Sequence, residues 1–208
     1  MKLHYLVEGP SEAALLNVWL RRALPGHSHC IYPHEGKGSI PSNLAASPDP
    51  LRRGLLDQLP AKLRAFGNAF NPDTDRVVVL VDADDDDCMC LKNSLVQVLE
   101  SCNPKPHALI RIAVEETEAF YLGDERAIRS AFQKFKSSAY RGYSQDSICG
   151  TWEIFQKVVG WKYEAKVKWA STIAPHLGTT RLGNGSNRSP SFRAFYRAIC
   201  SLAGEAWV

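Results

Sequence analysis

Two kinds of apolar pattern alternate along the first two thirds of the chain. Short runs rich in β-branched and aliphatic residues, at 3–7, 29–33, 77–81 and 107–114, predict strands. The third, Val77-Val78-Val79-Leu80-Val81, is apolar at every position, as expected for a strand buried on both faces of a parallel sheet. Between the strands the apolar residues recur at helical spacing. Helices are predicted over 12–24, ended by Pro25-Gly26, over 51–66, with Leu55, Leu56, Leu59 and Leu63 on one stripe and Pro60 as a candidate kink, and over 90–101. Ser11 stands where the first helix needs a cap. The Gly-, Ser- and Pro-rich stretch 34–50 reads as a loop.

Beyond Asp124 the pattern is helical throughout, over 125–136, 152–159, 166–177 and 191–203, with polar loops at 137–150 and 178–190. Strands alternating with helices predict an α/β fold with a mostly parallel sheet flanked by helices. The expected organisation is an α/β core over 1–124 and a mainly helical extension over 125–208, packed on the core as one unit. A chain of 208 residues is long enough to bury a sizeable core.

Charge sharpens this division. Residues 1–124 carry 12 Lys and Arg against 17 Asp and Glu, a net of −5, whereas residues 125–208 carry 13 against 5, a net of +8. An acidic half able to hold metal, joined to a basic half able to hold phosphate, suits a protein that acts on nucleic acid. The alternative is that the basic half is simply a solvated helical surface. No apolar run reaches the roughly 18 residues of a membrane span, and Met1-Lys2 leads directly into a strand, so a cytoplasmic protein is expected. The six cysteines form no disulfide or zinc pattern, since Cys88-Met89-Cys90 is too tight for a zinc pair.

The chemistry concentrates where the strands end. Val81 is followed by Asp82-Ala83-Asp84-Asp85-Asp86-Asp87, and Val7 by Glu8-Gly9-Pro10-Ser11-Glu12. In open α/β sheets ligands gather at the carboxyl ends of the strands. If extended geometry persists past Val81, then Asp82, Asp84 and Asp86 point the same way. Such hard oxygen donors suit Mg²⁺ or Mn²⁺. A solvated acidic loop is the plain alternative.

A glutamate at one strand end and Asp-x-Asp at another resemble the acidic signature of the topoisomerase–primase (TOPRIM) fold. "VEGPSE" and "VLVDADDDD" look like those motifs in OLD-type nucleases and their smaller relatives. "HEGKGS", "IAVEETEAFYLGD", "KVKWASTIAPHL" and "NRSPSFRAFYRAI" extend the likeness, in order, to a bacterial family of small TOPRIM-like proteins. Members of that family are often encoded beside ATPases in mobile or defence loci. The resemblance implies a TOPRIM-like fold, with Glu8, Asp82 and Asp84 on a primary Mg²⁺ or Mn²⁺ ion. It brings in Glu12 as a candidate for a second ion, although a first-turn glutamate is also favoured by the helix dipole. It also points to Glu118, which precedes Ala119-Phe120.

Glu116 shares parity with Glu118 in extended geometry and joins the candidate ligands with Asp86; Glu115 is expected to be solvated. Asp124 reads as a helix cap. Lys37, between Gly36 and Gly38, is a candidate for phosphate binding and catalysis, and His34 for orienting substrate. Lys166 and Lys168 open one helix, and Arg188 and Ser191, the latter also the expected cap, stand at the start of the last; these four with Lys37 are the expected nucleic-acid contacts. The implied function is a divalent-metal-dependent nuclease acting on DNA or RNA, with an ATPase partner, in anti-phage or mobile-element defence. A homodimer is admitted but not required. The alternative is a catalytically inert, metal-binding subunit of an ATPase complex.

Overall fold

The apolar run 77–81 lies inside β3 (Asp75–Asp82), which pairs on one side with β1 (Lys2–Val7) and on the other with β4 (Ala108–Ala113). Strand β2 (Ser28–Pro33) pairs with β1, giving the order β2-β1-β3-β4 with every pairing parallel. The computed structural model describes residues 1–147, 150–161 and 166–207. Among these, nine helices accompany the four strands: α1 (Pro10–Ala23), α2 (Leu55–Ala69), α3 (Cys88–Glu100), α4 (Glu118–Leu122), α5 (Glu125–Ala131), α6 (Ser137–Arg141), α7 (Thr151–Val159), α8 (Lys166–Ile173) and α9 (Pro190–Ala203). The protein is therefore an α/β fold, a parallel sheet flanked by helices and closed by a C-terminal helix. No helix among the described residues is long and apolar enough to cross a membrane.

Alternation along the strands divides the core in two. Leu3, Tyr5 and Val7 of β1, with Val78 and Leu80 of β3, face a large cluster built from α1, α4, α5, α7, α8 and α9. Leu6, Val77, Val79 and Val81 face a smaller one closed by the leucine stripe of α2 and by α3. The larger cluster is aromatic at its centre: Trp19 meets Phe192 at 5.1 Å and Tyr196 at 4.9 Å, and Phe155 meets Trp169 at 5.4 Å. Residues of the basic 125–208 segment thus complete the core on which β1 and α1 rest.

Several boundaries differ from those the sequence suggests, each for a local reason. Proline is preorganised for the first helical position, so α1 and α9 begin at Pro10 and Pro190. Their caps are accordingly Gly9 and Ser189, in place of Ser11 and Ser191; the Ser189 side chain accepts from Phe192 N. Helix α2 starts at Leu55 because Leu51 finds no core and is 90% exposed, while the Arg53 carbonyl is taken by Glu35 N at 3.1 Å. Pro60 is accommodated inside it. Asp87 caps α3 by accepting from Cys90 N at 2.8 Å. The expected 125–136 helix ends at Ala131, and the expected 137–150 loop contains α6, because Lys136 N leaves the helical path to meet Val158 O at 2.8 Å. Of the described cysteines Cys102 and Cys200 are buried and Cys90 is exposed; all are free.

Candidate functional site

Parallel pairing of β1 with β3 brings the ends of both strands to one edge of the sheet. Glu8 follows β1 directly, and its Oε1 accepts a 2.8 Å hydrogen bond from Asp82 N at the end of β3. Asp82 in turn accepts from Thr117 Oγ1 at 2.7 Å, which fixes its carboxylate toward the segment after β4. Glu12, one turn into α1, is buried and accepts from Ser11 Oγ at 2.8 Å. Glu118, the first residue of α4, is buried as well.

Three of them, Glu8, Asp82 and Glu118, resist ionisation. Burial pushes Asp82 well above the usual carboxylate range, and the charges of Glu12, Glu8 and Glu118 push it further, opposed by the Thr117 hydrogen bond. Glu8 is raised to about 7, first by burial and then by Asp84 and Glu12, against the hydrogen bond from Asp82 N and the charge of Lys37. Burial raises Glu118 to about 7, with Lys166 opposing and Glu116 and Glu12 adding to the rise. The Tyr121 hydroxyl is buried without a partner, and burial followed by Glu118, Glu12 and Asp82 holds it firmly protonated.

The extended parity expected for Asp82, Asp84 and Asp86 does not hold. Asp84 adopts φ +48, its N donates to Glu115 O at 2.8 Å, and Asp86 N closes a turn onto Ala83 O at 2.9 Å. Asp84 and Asp86 meet again through a cation: Lys37 Nζ lies 3.0 Å from Asp84 Oδ2, 2.8 Å from Asp86 Oδ2 and 2.9 Å from Ala83 O. The lysine is held there by the backbone of its own loop. Gly36 N donates to Glu8 O at 2.9 Å, and Leu56 N to Lys37 O at 2.7 Å. Gly38 has φ +69, and a Cβ at this position would collide with the Asp57 carboxylate. His34 is buried, with Nδ1 2.7 Å from Val7 O, so it anchors the loop to β1 instead of facing solvent.

Past β4 the chain turns, so the extended parity expected for Glu116 and Glu118 also gives way. Lys166 links them nonetheless: its Nζ lies 3.1 Å from Glu116 Oε1, and the charges of Glu118 and Glu116 raise its own proton affinity against burial. Glu115 is not solvated. At φ +60 it accepts from Gly150 N at 2.7 Å, from Thr151 N at 3.0 Å and from Thr151 Oγ1, holding the first turn of α7. Glu115→Ala leaves those donors without their acceptor and is expected to destabilise the protein by about 1–3 kcal/mol, read by urea denaturation.

The other basic candidates do not gather with Lys37 and Lys166. Lys168 lies over the Trp161 ring at 5.2 Å. Arg188 lies over Tyr140 at 5.6 Å and donates to its hydroxyl. The start of α9, expected to take an external anion, already holds an internal one. Asp146 accepts from Ser191 N at 2.6 Å and from Ser189 Oγ at 2.7 Å, and Ser191 is buried. Asp124 is the cap expected of it, accepting from Ala127 N at 3.0 Å and also from Gly178 N at 2.8 Å. Sequence reasoning missed Thr117 and Tyr121. The threonine inside "EETEAFY" is the available signal for the first; nothing local marks the second.

The donor set is all oxygen, crowded and proton-retaining, which suits a hard divalent cation on chemical grounds. Among the described residues, no three His, Cys, Asp or Glu side chains are already drawn around one point as ligands. Glu8, Glu12, Asp82 and Glu118 are nevertheless close enough for Asp82 to feel each of the others.

Among solved structures, the fold is similar to that of the C-terminal region of the Burkholderia pseudomallei OLD protein, with a TM-score of 0.48 and 14% identity over 99% of this chain and 98% of that one. A search of curated proteins gives no match. The model of the family described as "Domain of unknown function (DUF4276)" matches residues 7–199, and the chain belongs to that family.

Proposed function

We propose that the carboxyl edge of the sheet is the active site of a divalent-cation-dependent nuclease of TOPRIM type. One observation carries the reading: Glu8, bonded to the Asp82 amide, and the buried Glu12 and Glu118 come from three different segments to surround Asp82 with like charge at the end of the central strand. A protein that only needed a stable fold would have little reason to bury like charges together at a sheet edge. Mg²⁺ or Mn²⁺ would be held by Glu8 and Asp82, with Glu12, Asp84, Asp86, Glu116 and Glu118 as the further candidates. When bound it would neutralise a phosphodiester and favour attack by water.

The chain's own groups have separable tasks in this reading. The Asp82 amide and Thr117 hydroxyl hold Glu8 and Asp82 in fixed orientations. Lys37 and Lys166, each half-buried and shared with a carboxylate, offer positive charge to a phosphate. Glu118, at about 7, can keep a proton near neutrality and return it to a leaving oxygen. DNA or RNA is the proposed substrate; an ATPase partner and a role in defence rest on the resemblance of the motifs to the TOPRIM-like family.

The test is incubation of the purified protein with plasmid, linear DNA and RNA in Mg²⁺, Mn²⁺, Ca²⁺ or chelator, alone and with an ATPase encoded beside it. Cleavage in Mg²⁺ or Mn²⁺ but not in chelator is expected. A second reading, an inert partner subunit, is favoured by the lysines that already pair with Asp84, Asp86 and Glu116. It predicts assembly with the ATPase and no cutting under any condition.

A further inference from the structure

A second charged feature lies away from the acidic edge, on the face of the sheet covered by α9. Residues Arg76 of β3 and Arg111 of β4 line a cleft of about 750 Å³ together with Arg197 of α9. The helix contributes Ala194, Ala198 and Ser201 along the same wall, a stripe of short side chains that leaves the space open. No carboxylate lines the cleft, and among the described residues none of the three arginines forms an ion pair. Arg76 donates from Nη1 to the carbonyls of Pro72 at 2.7 Å and Asp75 at 2.9 Å and from Nη2 to Asp73 O at 3.4 Å, which leaves two of its five N–H groups over. Arg111 donates to Ile110 O at 2.9 Å, while its Nε is buried without a partner.

Three like charges around one open cleft repel one another, and a buried unpartnered guanidinium N–H is a position that an anion satisfies. The register sets their spacing. Val77 pairs with Ala108 and Leu80 with Arg111, so Arg76 and Arg111 lie about four residues apart along the strand direction, about 13 Å. Arginines anchored on the backbone at that interval suit a chain of phosphates better than a single small anion. Asp82 pairs with Ala113, so Arg111 lies two residues, about 7 Å, from the acidic edge. The cleft offers neither aromatic rings nor amide side chains, so it is built to read charge and not base identity.

We infer that the cleft between β4 and α9, through Arg76, Arg111 and Arg197, binds the phosphate backbone of a nucleic acid without sequence preference and leads it toward the acidic edge. The inference rests on the nuclease reading for the direction of that path, but not for the binding itself.

Binding is measured in chelator, where cutting does not intervene, by anisotropy of a labelled 20-nucleotide single strand and of its duplex over a range of salt. The wild type is expected to bind both, and Arg76→Ala/Arg197→Ala to bind about tenfold or more weakly. Its log–log salt dependence should be shallower by about 1.4–1.8, for two lost phosphate contacts. Arg197→Glu, a change at an exposed helix position, weakens binding with no change in melting temperature. Inorganic phosphate and pyrophosphate, tested as competitors at the same ionic strength, are expected to displace the strand poorly. Unchanged binding by the double variant overturns the inference, as does a wild type that binds phosphate or pyrophosphate but no oligonucleotide. Arginine-dependent binding by a protein that never cuts leaves this site standing and removes the nuclease reading. Cutting that survives the arginine changes unaltered does the reverse.

Discussion

Asp82→Asn is expected to lower cleavage by at least about 100-fold while nucleic-acid binding changes less than about threefold. The substitution keeps the side chain's shape and its acceptor for Thr117 Oγ1, but removes the ionisable group on which Glu8, Glu12 and Glu118 all act. An effect on chemistry alone is therefore separable from an effect on folding. Thr117→Val should act in the same direction by about 10–100-fold, because it frees the carboxylate without discharging it. Cleavage and filter binding measured on the same preparations decide the matter. Equal loss of both activities would place Asp82 in binding or stability, and full cleavage by Asp82→Asn would remove this edge as the site of chemistry.

The metal-free protein is expected to lose stability as pH rises from about 5 to 8, opposite to the usual behaviour of paired carboxylates. Glu118 moves from an ordinary value of 4.5 to about 7 on folding, so the native state holds a proton that the unfolded chain releases. Below 4.5 both states are protonated and the term is absent; between 4.5 and 7 the native state binds more protons and stability falls; above 7 the penalty is complete. For Glu118 alone this amounts to roughly 3 kcal/mol, or about 6–12 °C in melting temperature. Glu8 acts with the same sign. Millimolar Mg²⁺ or Mn²⁺ should restore the loss above pH 7 by occupying the ionised cluster. Melting curves from pH 5 to 8 with chelator and with metal, for wild type and Glu118→Gln, test both parts. A flat metal-free profile argues against the buried charge cluster, and a metal shift that persists unchanged in Asp82→Asn argues against an ion there.

The sheet was legible because its signals are local. Five consecutive apolar residues at 77–81 can be satisfied only between two covered faces, and the acidic residues after them must then emerge at an edge. Glu8 and Asp82 met there because parallel pairing aligns strand ends, which alternation of strands and helices already implies. What stayed hidden depends on distant partners. Nothing near Glu115 announces that the first turn of α7, some 35 residues on, needs its carboxylate. Nor does Ser191 reveal that Asp146 fills the helix end beside it. The serine caps were each misplaced by two residues for a readable reason, since a proline at the first helical position moves the cap to the residue before it. The aspartate parity failed because Asp84 takes a left-handed conformation, which a run of identical side chains cannot signal.

Lys37 makes the loop at 36–38 a competitor for the same oxygen atoms that a metal would need. While its ammonium rests on Asp84 and Asp86, one of their two negative charges is offset from within. A phosphate that attracts Lys37 releases them, and a metal that claims them releases Lys37. Under the nuclease reading the two ligands would therefore favour each other's binding by equal factors, as thermodynamic reciprocity requires. Such a protein would hold its ion loosely at rest and tightly only with a polyphosphate chain in place, a safeguard against indiscriminate activity written into one lysine.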